Sequence, residues 1–278
     1  MSYKDILGVA ISLEDDEAAL VAAGELTARF GARATALIVA IHLGSDFAQE
    51  AQPLSALLDD LAEGPRHAAA REREKIVAWL NQAPHDFEKR DLTIEGAVDR
   101  DEVVAHARLA ELVVLARGRT HVRARRVLLE HVLFQSGRPI LLIPGGPAAE
   151  RRWERVLIGW NAKPEAMRAV TAALPLLQAA KEVFVATVDA KPSHEGHGEA
   201  PGRELAQHLA HRNVRVEVRN LDSLGRSHTQ ALLDEASTVG AEVLVLGAYG
   251  HSRAQEFLFG GVTRDLLAHA PLPLLLAH

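Results

Sequence analysis

The chain has 278 residues, of which 48% are apolar, so it can form one large domain or two domains of ordinary size with buried cores. Its formal net charge of −6 argues against a nucleic-acid binder, because nucleic-acid backbones are held mainly by an excess of Lys and Arg. No apolar run approaches the roughly 20 residues that span a bilayer, and no signal segment precedes the first apolar stretch, so we expect no membrane contact and a cytoplasmic location.

The first half of the sequence opens with alternating strand and helix signals. Asp5–Ala10 is typical of a strand, Asp15–Phe30 of an amphipathic helix that ends at Gly31, and Ala34–Ile41 of a buried strand. The second half follows the same order, with a strand at Arg155–Trp160, a helix from Pro164 and a strand at Glu182–Val188.

Later elements also recur at an offset of roughly 130 to 150 residues. Leu112–Leu115 matches Val243–Leu246, and Arg138–Ile143 matches Leu272–Leu276. An offset of this size is one domain length, so the repeats indicate two similar domains.

Short apolar strands that alternate with helices predict a parallel sheet covered by helices on both faces. The predicted fold class is therefore α/β, with two tandem doubly wound parallel-sheet domains. A Pro- and Gly-rich stretch at 144–152 is typical of a surface linker. It places the domains at residues 1–146 and 147–278.

A glycine-rich segment follows the apolar strand Val243–Leu246. Gly247 and Gly250 allow positive φ and the close approach of a ligand, whereas Gly260 and Gly261 lie where a helix would begin and present free amide N–H groups. This layout favours a phosphate-binding loop, and the alternative is a tight turn with close helix packing. The spacing matches neither a Walker A loop nor Gly-x-Gly-x-x-Gly.

Written as Gly-x2-Gly-x9-Gly followed by a small residue and Val-Thr, the segment resembles the nucleotide loop of the universal stress protein family. The resemblance includes the following helix, Val262–Ala270, the closing strand, Leu272–Ala277, and more loosely the whole chain as two tandem copies. It implies that the second domain binds ATP or a related adenine nucleotide, with or without Mg²⁺. The family usually has Ser or Thr in place of Gly261, so one hydroxyl donor is lost here while the backbone N–H remains.

Further side chains complete the predicted site. His251, Ser252 and Thr263 supply donors, although each alone is typical of a solvated turn. By resemblance, Asn161 takes the place of an Asp that contacts the nucleotide, and Val188 lies where the adenine is held. The alternatives are that Asn161 caps the following helix and that Val188 is an ordinary core residue. The predicted nucleotide-binding residues are Asn161, Val188, Gly247, Gly250, His251, Ser252, Gly260, Gly261, Val262 and Thr263.

The first half lacks this glycine pattern. Its corresponding loop, Ala116–Arg126, holds five arginines, Glu130 lies where the last glycines would be, and the first strand ends in Ser12 without an Asp or Asn. We interpret it as a degenerate copy that has lost the nucleotide site. The arginines suggest either an anion site or a charged, solvated loop and helix face, and the second interpretation is favoured.

Catalytic signatures are absent from the sequence. His194 and His197 lie in a Pro- and Gly-rich loop that does not favour a metal site, and there is no Cys nucleophile, His-Glu-x-x-His or Gly-x-Ser-x-Gly motif. We predict no catalytic residue, no metal ligand and, at most, slow hydrolysis of bound ATP.

The favoured hypothesis is a stress-response protein that acts in ligand-dependent signalling or regulation. By resemblance, the two halves pair within the chain through the closing strands 139–143 and 272–276, and a homodimer is compatible with this pairing. The first rival is a scaffold or chaperone-like stress protein without nucleotide. The second is a nucleotide-processing enzyme of a related superfamily, which would need a Ser-Gly-Gly-x-Asp-Ser loop that the chain lacks.

Overall fold

A computed structural model of the chain describes residues 2–42, 55–95, 100–149, 151–192, 198–248 and 261–278. Strands and helices alternate along these residues. The strands are β1 (Asp5–Ala10), β2 (Arg33–His42), β3 (Glu88–Glu95), β4 (Leu112–Ala116), β5 (Ile140–Ile143), β6 (Arg155–Gly159), β7 (Glu182–Val188), β8 (Val216–Leu221), β9 (Val243–Gly247) and β10 (Leu274–Ala277). The helices are α1 (Leu13–Phe30), α2 (Ser55–Gln82), α3 (Arg100–Arg108), α4 (Val122–Gln135), α5 (Pro164–Ala179), α6 (Arg203–Ala210), α7 (His228–Thr238) and α8 (Val262–His269).

The first strand and helix lie close to their predicted positions. β1 has the predicted bounds, and α1 begins two residues before Asp15, after Ser12 in an extended conformation. Gly31 ends α1 as predicted: its φ of 61° is left-handed, and its N–H donates to the carbonyl oxygen of Thr27.

The two closing strands, β5 and β10, each begin two residues later than predicted. Pro139 and Pro273 stand directly before them. Proline has no N–H to donate to a strand ladder, so regular pairing starts after it.

Tyr3–Arg138, together with Gly145–Ala149, forms one compact unit, here called the first unit. Its strands pair in parallel in the order β3-β2-β1-β4. Ile6 of β1 lies opposite Ala34 of β2 and Leu112 of β4. Apolar side chains from α1 are buried against this sheet, which supplies the core of the unit.

Pro139–Pro144 and Glu150–His278 form the core of a second compact unit. Its strands follow the order β5-β10-β9-β6-β7-β8 and pair in parallel, except that β5 and β10 are antiparallel, with Leu274 opposite Leu142. The last strand of the first half of the sequence therefore lies in the sheet of the second unit. The domain boundary predicted after Gly146 stays a prediction.

The predicted fold class, α/β with doubly wound parallel sheets, is confirmed. In each unit the strand order reverses once, between β1 and β4 in the first unit and between β6 and β9 in the second. Such reversal points are where open α/β sheets bind ligands, beyond the carboxyl ends of the strands. No described helix is long and apolar enough to cross a membrane.

Candidate functional site

Three of the predicted site residues lie at one edge of the second sheet. Gly159 of β6 is level with Ala186 of β7 and with Leu246 of β9. Asn161 and Val188, each two residues further along, therefore follow the carboxyl ends of β6 and β7, and Gly247 ends β9. The register thus brings them to the reversal point of the second unit.

The side chain of Asn161 is exposed and contacts the chain that leads into α5. Its Oδ1 accepts a hydrogen bond from the N–H of Lys163 at 3.1 Å. Lys163 is the N-cap of α5, and Pro164 takes the first helical position. The structure therefore gives Asn161 a local contact before α5 but not the position of helix cap, which Lys163 takes. Val188 is half-buried at the end of β7.

Gly247 is needed for the close approach of a helix. A Cβ atom at this position would lie 2.3 Å from the backbone nitrogen of Ala166 and 2.5 Å from the carbonyl carbon of Glu165, both in the first turn of α5. The positive φ predicted for Gly247 is not found, because the residue continues β9 in register, with Ala277 opposite it. Close helix packing, which was the alternative interpretation of Gly260 and Gly261 from the sequence, is the role that the structure shows for Gly247.

Gly261 precedes α8 as its N-cap, with φ −69° and ψ 130°. Having no side chain, it cannot cap the amide groups of the first turn of the helix through a side-chain oxygen. Val262 is half-buried, and the buried Thr263 is 7% exposed. The other predicted residues of the loop, Gly250, His251, Ser252 and Gly260, lie outside the described residues, as do His194 and His197.

Glu165 is a charged group near this edge that the sequence patterns did not indicate. Its side chain is 17% exposed, and Nη1 of Arg168 lies 4.0 Å from Oε1. Its other oxygen, Oε2, is buried and has no hydrogen-bond partner among the residues that the structure describes. The start of α5 therefore carries negative charge close to the end of β9.

The reversal point of the first unit is occupied by buried charged side chains. Arg125 of α4 donates from Nη1 to Oδ1 of Asp16 at 2.6 Å and from Nη2 to Oδ2 at 2.9 Å. Oδ2 of Asp16 also accepts the backbone N–H groups of Ile11 at 2.7 Å and Ser12 at 2.9 Å. We call Asp16 and Arg125 the buried pair; Asp16 is 0% and Arg125 7% exposed.

Asp15 forms a second contact across the same reversal point. Its Oδ1 accepts the backbone N–H of Arg119 at 2.9 Å, and its Oδ2 accepts that of Thr120 at 2.8 Å. The Thr120 hydroxyl also donates to Oδ2, and Nη2 of Arg125 lies 3.6 Å from it. One carboxylate on α1 thus holds the loop between β4 and α4.

The favoured interpretation of the Ala116–Arg126 arginines, a solvated loop and helix face, is wrong for Arg125. Arg119 and Arg126 are exposed, but Arg125 is buried because it shares its helix face with Leu128, Leu129 and Val132. Spacings of three, four and seven residues place these side chains together on a helix. That spacing was the sequence signal for a buried arginine, and Asp15 and Asp16 supply its counter-charge.

The pKa of Asp15 should give the first unit an acid-sensitive stability. Burial opposes ionisation, but the hydrogen bonds from Thr120 and Arg119 and the charge of Arg125 together hold the pKa of the Asp15 carboxyl below its usual value. A carboxyl group whose pKa is lower in the folded state stabilises that state fully at any pH above its pKa in the unfolded chain, about 3.9. This stabilisation is lost as the pH falls through the pKa of the folded state. The excess stability of the natural chain over Asp15→Asn should therefore be constant above about pH 5 and shrink below about pH 4.

Urea unfolding of the two proteins between pH 7 and pH 3 measures this difference. A difference that stays constant over the whole range would show that the ionised carboxylate contributes nothing.

Comparison with known proteins identifies the second unit. Residues 152–278 match the model of the Universal stress protein family. This part of the chain is a universal stress protein domain. The matched range contains Asn161, Val188 and all the predicted loop residues.

Solved structures show that the fold of the family extends over the whole chain. A universal stress protein from Archaeoglobus fulgidus is 15% identical and covers 98% of this chain and 95% of its own, with a TM-score of 0.69. A protein from Pseudomonas aeruginosa UCBPP-PA14 assigned to the same family is 14% identical and covers 99% and 93%, with a TM-score of 0.54. At these identities the likeness shows the fold alone.

A universal stress protein in complex with cAMP is 21% identical over 45% of this chain and 97% of its own. Its TM-score of 0.36 is too low to extend that ligand to the universal stress protein domain described here. Among the curated proteins compared, none matches the chain.

Proposed function

We propose that the universal stress protein domain binds ATP or a related adenine nucleotide where β6, β7 and β9 end. The main support is that the Gly-x2-Gly-x9-Gly segment starts at the end of β9, beside the reversal of strand order. Ligands of open α/β sheets bind at such points. The amide groups at the N-terminus of α8, which Gly261 does not cap with a side chain, are suitable partners for a phosphate.

The residues proposed to contact the nucleotide are those predicted from the sequence. Asn161 and Val188 would face the nucleoside from β6 and β7, and the glycines of the loop would admit the phosphates. For Asn161 this requires that its side chain leave the N–H of Lys163, which is a contact between exposed groups and therefore weak.

A divalent cation should accompany the nucleotide. The carboxylate of Glu165, whose Oε2 has no hydrogen-bond partner among the described residues, would repel free phosphate groups at the end of β9. Mg²⁺ reduces the negative charge of ATP and takes carboxylate and phosphate oxygens as ligands. We therefore propose that Mg-ATP binds more tightly than free ATP.

Binding would serve regulation in the cytoplasm. A nucleotide held by one arrangement of the protein more tightly than by another shifts the population between them. No catalytic base is proposed, and at most slow hydrolysis would accompany binding.

We expect one nucleotide for each chain, because only the second unit has the glycine segment and the first has charged side chains at its reversal point. Titration calorimetry of the full chain with Mg-ATP measures the stoichiometry and the Kd. Gly250→Val and Gly260→Val should each weaken binding by orders of magnitude, since loss of one charge-assisted backbone contact costs about 1.5–3 kcal/mol and several would be blocked.

Gly64→Ala is the control for a glycine outside the loop, because a Cβ at Gly64 would meet no described atom within 4 Å. A stoichiometry near two would show that the first unit also binds. Unaltered affinity in both valine variants would show that the loop is only a turn.

A scaffold without nucleotide is the second candidate function. It is favoured by the packing of Gly247 against α5 and by the local hydrogen bond of Asn161, which give both residues structural roles. Protein purified from cells that carries no adenine nucleotide, and no heat on titration with Mg-ATP, would support it.

A further inference from the structure

The loop that follows β4 in the first unit has the geometry of an anion-binding nest. Two successive backbone N–H groups, those of Arg119 and Thr120, point at the two oxygens of one carboxylate at 2.9 and 2.8 Å. The Thr120 hydroxyl donates to the same group, and Nε of Arg119 lies 3.9 Å from Oδ1. Converging amide groups in a loop of this kind form a concave site for anions.

The occupant of this nest is part of the protein. The Asp15 side chain is 1% exposed, so its carboxylate is enclosed on all sides as a bound anion would be. It reaches the nest from the first turn of α1, the helix that follows β1, and β1 is the neighbour of β4 at the reversal point. Asp15 therefore takes the place where the sheet topology favours a ligand.

The nest is also supported by contacts that do not involve Asp15. Nε of Arg125 donates to the carbonyl oxygen of Thr120 at 3.0 Å, and Arg125 is itself held by Asp16. Gly118 has φ +61°, and a Cβ there would lie 2.5 Å from Nε of Arg125. A glycine at this position thus leaves room for the Arg125 side chain beneath the loop. Because the contact of Arg125 with the Thr120 carbonyl remains, we expect the loop to keep its conformation when the Asp15 carboxylate is removed.

We propose that residues 117–121 form an oxyanion site in the first unit, that the Asp15 carboxylate is its built-in ligand, and that a free oxyanion binds there once this carboxylate is removed. The natural chain then keeps the loop in its anion-bound form without any ligand, and closes the site to phosphate groups. This inference concerns the first unit and does not depend on nucleotide binding by the second.

Chemical rescue of Asp15→Ala tests the proposal. Formate and inorganic phosphate are the probes, with sodium chloride at equal ionic strength as the salt control. A ligand at ten times its Kd raises the apparent folding constant about 11-fold, so either anion should raise the Tm of the full-length variant and slow amide exchange in residues 117–121.

Glu14→Ala is the matched control, because Glu14 lies in the same turn of α1, pairs with Arg119 at 2.9 Å and is 73% exposed. This change removes a carboxylate but leaves Asp15 in the nest. Formate and phosphate should therefore change the Tm and amide exchange of this variant no more than sodium chloride does. Asp15→Asn keeps the nest filled with an amide and should also show no rescue, even if Asp15→Ala folds poorly.

Rescue of Asp15→Ala alone supports the proposal. An equal response to the anions in the natural chain and all three variants, or no response of Asp15→Ala to either anion, overturns it. Because the probes carry no nucleoside, failure of this test leaves the titration with Mg-ATP unaffected.

Discussion

Exchange of Arg125 for methionine should lower the free energy of unfolding of the first unit by about 3–5 kcal/mol, the usual cost of removing one partner of a buried ion pair. The reason is that Asp16 is 0% exposed and would keep a charge whose two guanidinium hydrogen bonds are lost. Asp15, whose Oδ2 lies 3.6 Å from the same guanidinium, would lose a favourable charge as well. Amide hydrogen exchange of β1 and β4 measures the effect unit by unit, and a loss of about 4 kcal/mol corresponds to an opening constant raised about a thousandfold.

Arg126→Met provides the matched control, because the neighbouring Arg126 is 64% exposed and pairs with Glu130 one turn away on the helix surface. Such surface pairs contribute about 0–1 kcal/mol. In the double variant Arg125→Met with Asp16→Leu, apolar side chains replace both charges and part of the stability should return. Equal, small changes in exchange for Arg125→Met and Arg126→Met would show that the buried pair is not stabilising.

Exchange of Gly247 for alanine should destabilise the second unit by about 1–3 kcal/mol, the usual cost of overpacking a filled space. The added Cβ would lie 2.3 Å from a backbone nitrogen of α5, and backbone in a packed helix cannot turn aside as a flexible side chain can. The start of α5 must then shift, together with Asn161, which leads into it. Thermal unfolding and Mg-ATP titration of the same variant separate the effect on stability from the effect on binding.

Gly159→Ala is the control from the adjacent strand. Its Cβ would lie 3.6 Å from the nearest atom, Cδ1 of Leu232, which is an ordinary van der Waals distance. If Gly247→Ala proves as stable as Gly159→Ala but fails to bind nucleotide, the glycine is required by the ligand and not by the helix.

Local patterns in the sequence were sufficient for the fold class. The strand at Asp5–Ala10 and the end of α1 at Gly31 follow from apolar periodicity and from the left-handed conformation that glycine adopts readily. The recurrence of the same order of elements in both halves predicted two similar domains. The alternation of strands with helices predicted parallel sheets, since parallel strands require helical crossovers. The bounds of β5 and β10 were less accurate because the prolines before them were counted as strand residues.

Sequence reasoning was less successful with the candidate sites because it treated residues one segment at a time. Arg125 was assigned to a solvated face from the density of arginines around it, while its partners, Asp15 and Asp16, lie more than 100 positions earlier. Gly247 was interpreted by the loop that follows it, yet the atoms it accommodates belong to α5, on a different crossover. Contacts of this kind depend on which elements meet at the reversal points, and a local pattern does not contain that information.

The antiparallel pairing of β5 with β10 has a consequence for synthesis on the ribosome. Leu142 and Leu274 are partners at opposite ends of the second unit's sequence, so β5 leaves the ribosome long before β10 exists. At about 5–20 residues per second the delay is roughly 7–26 s. During that time a fully apolar strand, Ile140–Ile143, waits on the nascent chain without its partner, and such strands are prone to aggregation. The nascent chain therefore needs protection of this strand until β10 has been translated.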